Sequence, residues 1–195
     1  MPWEKSFDLD NALDRAIKIF WAKGYEGTSM ADLVDEMGIN KGSLYNAFGS
    51  KQELFTKALL KYDRDNRQKK LEQLEALDDP VKAITKFFDG LIEESSADKE
   101  KKGCLLFNTA LELPNQTHEV HEAVGFAIND LEAFFIRQIK SGQKRGDLAK
   151  SLKPNPTAKS LIALLVGFRV LSRGAYTVKE LKTVKDSALK LICDQ

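Results

Sequence analysis

The feature that most constrains this chain is the spacing of its apolar residues. From Leu9 to Ile192 they recur at intervals of three and four, the period of one helix face. Leu9, Leu13, Ala16, Ile17 and Phe20 lie at i, i+4, i+7, i+8 and i+11 and make a single stripe. No segment alternates apolar and polar residues around a hairpin turn, so strands are not expected. The spacing predicts an all-α protein of about nine helices.

Punctuation along the chain sets the boundaries. Gly24 is placed to end the first helix in the left-handed conformation. Met30, Leu33, Val34 and Met37 mark a second, short helix closed by Gly38, and Leu44, Tyr45 and Phe48 mark a third over 41–48. Ser50-Lys51-Gln52-Glu53 is a capping box that starts a fourth, and Leu71, Leu74 and Leu77 carry it through the charged stretch 61–75. Asp79-Pro80 opens a fifth, and the polar stretch from Ser95 to Lys102 reads as a loop. Cys104 to Leu113 forms a sixth. Val120 to Ile139 gives a long helix ending near Gly142, Asn155-Pro156 opens the next, and Thr177 to Glu180 is a second capping box. Leu161–Leu171 is apolar nearly all round and needs burial on every side. A subunit interface satisfies that need; so does a central core position inside a monomer, and periodicity leaves both open.

Composition bounds the function. With 43% apolar and 30% charged residues in 195, the chain has the make-up of a globular domain, not of a disordered or collagen-like one. Cys104 and Cys193 are too few for a disulfide scaffold and fit a reducing compartment. The opening residues carry no basic n-region followed by an apolar stretch, so no signal peptide is expected. The longest apolar run contains Arg169 and is too short to span a bilayer. These features predict a cytoplasmic protein with no membrane partner. The net charge is only +1, so any nucleic-acid binding must come from a local surface.

Such a surface is suggested by residues 28–48. Two short helices meet at Gly38-Ile39-Asn40, a three-residue glycine-containing turn of helix-turn-helix type. Lys41, Gly42, Ser43, Tyr45 and Asn46 form the leading surface of the second helix, with a cation suited to guanine, an amide to adenine and a hydroxyl to either. Leu44 and Phe48 face a small core with Phe20, Leu33 and Leu54.

The stretch Gly24-Tyr25-Glu26-Gly27-Thr28-Ser29-Met30, the run Met37 to Tyr45, and Phe48, Ser50, Lys51, Glu53 and Leu54 together resemble the TetR family of bacterial transcriptional repressors. The resemblance implies a homodimer with a DNA-binding domain over 1–55, a linking helix to about 77, and a ligand-binding and dimerisation domain over 78–195. It implies that Thr28, Tyr45 and Lys51 bind operator phosphates while Lys41, Gly42, Ser43 and Asn46 face base edges. It implies a small effector, apolar or aromatic, enclosed by helices that carry Phe87, Phe88, Phe107, Phe134, Phe168 and Arg169; the ordinary alternative for these aromatics is core packing. Ala47 departs from the pattern, since a histidine or aromatic that touches the DNA backbone is common there. Residues 1–60 hold seven basic and nine acidic side chains, so fitted contacts must supply much of the affinity.

Two further sites compete. Cys104 follows Lys99, Lys101, Lys102 and Gly103 at the expected start of the sixth helix, where cations and free amides favour a thiolate. The Gly103 to Glu112 segment is similar to a subgroup of the family that includes repressors responding to electrophiles and oxidants. Sensing by Cys104 is therefore an alternative route to DNA release, set against a buried, inert thiol. His118 and His121, at i and i+3, are a distant candidate for a metal-dependent enzyme, but two ligands are too few. No nucleophile elbow, P-loop or dinucleotide fingerprint is present in the sequence, so neither catalysis nor a cofactor or metal is expected.

Overall fold

A computed structural model describes residues 8–193. The N-terminal residues read above for the absence of a leader lie largely outside the described residues. The order is α1 (Leu9–Lys23), α2 (Met30–Met37), α3 (Lys41–Phe48), α4 (Lys51–Asp63), a π turn Arg64–Gln68, α5 (Lys69–Glu75), α6 (Pro80–Ala97), α7 (Leu105–Leu111), a 3-10 turn Leu113–Asn115, α8 (His118–Arg145), α9 (Pro154–Leu171) and α10 (Val178–Cys193). No strand occurs among the described residues. The protein is all-α. The helical string from Lys51 to Glu75 is unbroken, and the predicted fourth helix is α4, the π turn and α5 together.

The helices start where the caps are. Asp8 caps α1, Ser29 caps α2, Asn40 caps α3 and Ser50 caps α4, each accepting backbone N–H groups of the first turn. Gly38 takes φ 66° and ψ 31° and donates to Val34 and Asp35 carbonyls, which gives the sharp turn into α3. Several boundaries differ from the sequence reading: α5 stops at Glu75, before Leu77, and α7 spans only Leu105–Leu111 of the expected Cys104 to Leu113. Ser95 to Ala97 extend α6, where the Ser96 hydroxyl donates to the Ile92 carbonyl at 2.7 Å and offsets the loss of apolar periodicity. α8 runs past Gly142 to Arg145. Gly142 is there because a Cβ would come within 2.8 Å of Leu148, whose N–H donates to the Gly142 carbonyl. α9 begins at Pro154 with Lys153 before it, and its N-terminus lacks a side-chain cap.

Packing divides the chain into two compact units. The first holds residues up to Asp65 and Cys104–Val124; the second holds Asn66–Gly103 and Gly125 onward. In the first, Ala16, Phe20, Leu33, Leu44, Leu54, Phe55 and Leu59 form the core, and each such Leu or Phe buries apolar surface worth about 1.5–3 kcal/mol. The Phe20 and Phe55 rings meet edge to face at 4.9 Å. α7 joins this core through Leu105, Leu106 and Phe107, and contacts α4. In the second unit Phe87, Phe88, Phe134 and Phe135 form one aromatic cluster, with centroid separations of 5.2 to 6.3 Å.

Candidate DNA-binding surface

The turn chemistry of 38–40 aims α3 outward. Leu44 and Phe48 are buried, one turn apart, so the opposite side of the helix is left to solvent. Lys41, Gly42, Tyr45 and Asn46 are exposed on that side, Tyr45 by 42%. Ser43 and Ala47 are half-buried, and the Ser43 N–H donates to the Asn40 cap at 2.8 Å. Gly42 brings only backbone to this surface. The Lys41 ammonium stands 6.0 Å from the Tyr45 ring centroid. Four of the predicted reading positions therefore share one exposed face, and Ser43 lies at its edge.

Thr28 is tied into its own loop. It is 1% exposed, its hydroxyl donates to the Gly24 carbonyl at 2.6 Å, and its N–H donates to the Tyr25 carbonyl at 3.3 Å. Both donors that could meet a phosphate are engaged inside the loop. Ser29, the next residue, is the N-cap of α2. Thr28 instead fixes the loop between α1 and α2.

Lys51 is the first residue of α4, and its ammonium lies 4.3 Å from the centroid of the Tyr25 ring. Sequence reasoning missed Tyr25 in this context; nothing in the spacing of residues 25 and 51 signals their meeting. The Lys23 ammonium bonds the Asp32 carboxylate at 2.6 Å, tying α1 to α2. That bond, with two from Ser29, holds the Asp32 carboxyl well below the usual carboxylate range.

The predicted effector residues do not form one described cluster. Phe87, Phe88 and Phe134 are buried against one another and against Phe135, and Phe168 is fully buried on α9. Phe107 belongs to the other compact unit. Arg169 pairs with Glu94 at 2.7 Å, and Lys70 reaches the same carboxylate at 2.6 Å. Burial would raise the Glu94 carboxyl, but these two cations outweigh it and hold it below its ordinary value. A groove of about 800 Å³ in the second unit is lined instead by α5, α6 and α10, including Lys70, Lys86, Asp89, Lys182, Lys185 and Asp186. None of the six predicted effector residues lines it.

Cys104 is the N-cap residue of α7 and is 7% exposed, with the Tyr62 hydroxyl donating to its Sγ at 3.7 Å. His121 bonds the Leu113 carbonyl through Nε2, and exposed His118 stands 3.4 Å from Glu122. Among the described residues no three His, Cys, Asp or Glu side chains converge to hold a metal ion, and no helix is long and apolar enough to cross a membrane.

Residues 12–58 match the family of bacterial regulatory proteins called tetR, and residues 80–186 match the tetracyclin repressor-like C-terminal domain. The chain belongs to the TetR family. It is a helix-turn-helix transcriptional regulator of that family. Relatives include the uncharacterized HTH-type transcriptional regulator YezE of Bacillus subtilis, 31% identical over 74% of this chain and 74% of its own length. The HTH-type transcriptional repressor ComR of Escherichia coli is 27% identical over 96% of this chain and 90% of its own. Among solved structures, a cysteine mutant of the TetR family regulator CifR, complexed with 26-bp double-strand operator DNA, is 30% identical. It covers 95% of this chain and 97% of its own with a TM-score of 0.82.

Proposed function

We propose that this chain is a homodimeric repressor that binds a near-palindromic operator and leaves it when a small molecule occupies the C-terminal domain. The observation that carries the reading is the exposed α3 face of Lys41, Gly42, Tyr45 and Asn46 beside Lys51 of α4. CifR, with the same fold over nearly its whole length, is complexed with operator DNA, and ComR is a repressor. In this reading Lys41, Asn46 and Ser43 address base edges, with Gly42 allowing close approach. Tyr45 and Lys51 hold phosphates, and Thr28 shapes the loop behind them. Residues up to about 55 read DNA and 78–195 hold the effector and the dimer contact, with Cys104–Val124 packed against the reader. The effector is apolar or aromatic and opens the cluster of Phe87, Phe88 and Phe134, with Phe168 and Arg169 on α9 and Phe107 outside it. The protein works in the cytoplasm, where its DNA is.

The test is a mobility shift with fragments of the DNA upstream of the protein's own coding sequence. Tyr45→Ala and Lys51→Ala should weaken binding to all sequences, and Lys51→Ala, which removes a cation, should also reduce the salt slope by about one. Lys41→Ala and Asn46→Ala should relax specificity at one or two base pairs, about 1–3 kcal/mol each. Indifference of the wild type to every upstream fragment, with and without metabolites, sinks the reading.

A second route to release is favoured by one observation. Cys104 opens α7, and the Tyr62 hydroxyl donates to its sulfur at 3.7 Å, which ties the thiol directly to α4. In this route an electrophile adds to Sγ and α7 shifts against α4. A quinone should then release the operator from the wild type but not from Cys104→Ser. Equal release from both, or a thiol that resists labelling in the folded protein, removes the route.

A further inference from the structure

Among the described residues, three lysines of the first unit stand over aromatic rings, Lys41 and Lys57 at 6.0 and 5.8 Å from the centroid and Lys51 nearest, at 4.3 Å, whereas Lys23 and Lys61 are held by carboxylates. Lys23 is paired with Asp32, and Lys61 with Asp10, Asp14 and Asp65. Lys51 makes no ion pair among the described residues; its ammonium rests on the Tyr25 ring. That ring is fixed from behind by Phe55, with centroids 5.0 Å apart, and by Phe20 at 6.4 Å. The Ser50 cap accepts the Glu53 N–H through its side chain and the Leu54 N–H through its carbonyl, which leaves the Lys51 and Gln52 amides at the open end of α4.

The electrostatics of the two supports differ. A carboxylate would neutralise the ammonium and compete with a phosphate for it. An aromatic face attracts the cation through its quadrupole and leaves the net charge in place. A lysine on such a platform has fewer rotamers to lose when it meets an anion. Burial first, and the charge of Glu26 second, push the Tyr25 hydroxyl up, so the ring stays a neutral phenol across working pH.

We propose that Tyr25 is a positioning residue for DNA binding: its ring holds the Lys51 ammonium over the N-terminus of α4, so that an operator phosphate meets a cation already in place. The role rests on the DNA-binding reading above. It requires the ring face and not the hydroxyl.

The test replaces Tyr25 with phenylalanine and with phenylalanines carrying one, two and three ring fluorines. This series keeps the ring volume while draining its face, so the core contacts with Phe20 and Phe55 survive. Binding is read by mobility shift on upstream fragments of the protein's own coding sequence. Tyr25→Phe should bind as the wild type does. Affinity should then fall stepwise with fluorination, by about two- to fivefold per protomer over the series. In a Lys51→Ala background the series should be flat. A flat series in the Lys51 protein, or an equal fall in the Lys51→Ala protein, overturns the role of Tyr25 while the DNA-binding reading stands. A wild type that binds no upstream fragment overturns both.

Discussion

The Lys61 ammonium lies 2.8 Å from the Asp65 carboxylate, at the point where α4 gives way to the π turn. Asp10 and Asp14 of α1 complete the ring at 3.0 and 3.1 Å, while the Lys61 side chain itself is only 7% exposed. Asp65 first, then Asp10 and Asp14, outweigh burial and raise the lysine above its ordinary pKa. A raised cation stabilises the fold fully below the ordinary lysine range and loses that contribution as pH climbs through the folded value. Lys61→Met should therefore cost about 1–2 kcal/mol near neutral pH, below the figure for a fully buried pair because the carboxylates face water. Urea midpoints at about pH 7 and about pH 11 should show the gap between wild type and variant shrinking at the higher pH. A gap that stays the same would mean that Lys61 acts by packing alone.

The start of α2 should be fragile in a specific way. Ser29 and Asp32 form a reciprocal capping box, and Lys23 holds the same Asp32 carboxylate. Ser29→Ala should cost about 1 kcal/mol. Asp32 is held low by Lys23 first and by Ser29 second, so its stabilisation is present above the ordinary carboxylate range and fades as pH falls. Asp32→Asn should thus differ from the wild type at neutral pH and converge with it in acid. Thermal unfolding across that range checks this.

Gly27 fills a close approach. A Cβ there would stand 2.4 Å from the Lys23 carbonyl oxygen, a backbone atom that cannot swing aside. Gly27→Ala should open the loop that Thr28 closes and destabilise by more than about 1 kcal/mol. Operator affinity should fall with it, because Tyr25 lies in the same loop. A neutral Gly27→Ala would show that the loop has room the structure does not display.

The apolar helix α9 divides its residues between two roles. Leu161, Leu165 and Phe168 are buried within the protomer, whereas Val170 is 41% exposed and Val166 and Gly167 are half-buried. A charge at Leu165 would therefore break the protomer and say nothing about a dimer. Val166→Glu and Val170→Glu should keep the helical content and yield a monomer in sedimentation at micromolar concentration. The wild type should sediment there as a dimer; a monomeric wild type would leave α9 without its proposed partner.

The exposed face of α3 was legible in the sequence because it depends on neighbours. Gly38 at positive φ, Asn40 capping Ser43, and Leu44 and Phe48 one turn apart are all short-range relations, and together they force Lys41, Tyr45 and Asn46 outward. The engagement of Thr28 was not legible. Its hydroxyl could serve a phosphate or the Gly24 carbonyl, and only the path of the loop brings that carbonyl to 2.6 Å. Whether the six residues expected around an effector line a cavity was the least legible, since a Phe that lines a cavity and one that packs in a core follow the same period.

The sequence by itself determined the helices, their caps and the turn between α2 and α3. Each of these is set by residues within about four positions of one another, through backbone geometry and side-chain caps. Only the tertiary structure decided what meets across the chain. Lys61 and Asp10 are 51 residues apart, Tyr62 and Cys104 42, and Arg137 and Glu75 62. It also placed Lys51 on Tyr25, put Phe107 in a different packing unit from Phe87, and paired Arg169 with Glu94. The physical reason is that periodicity fixes which face of a helix is buried but not which partner covers it. Many apolar faces are mutually compatible, and the choice among them is made by the packing of the whole chain at once.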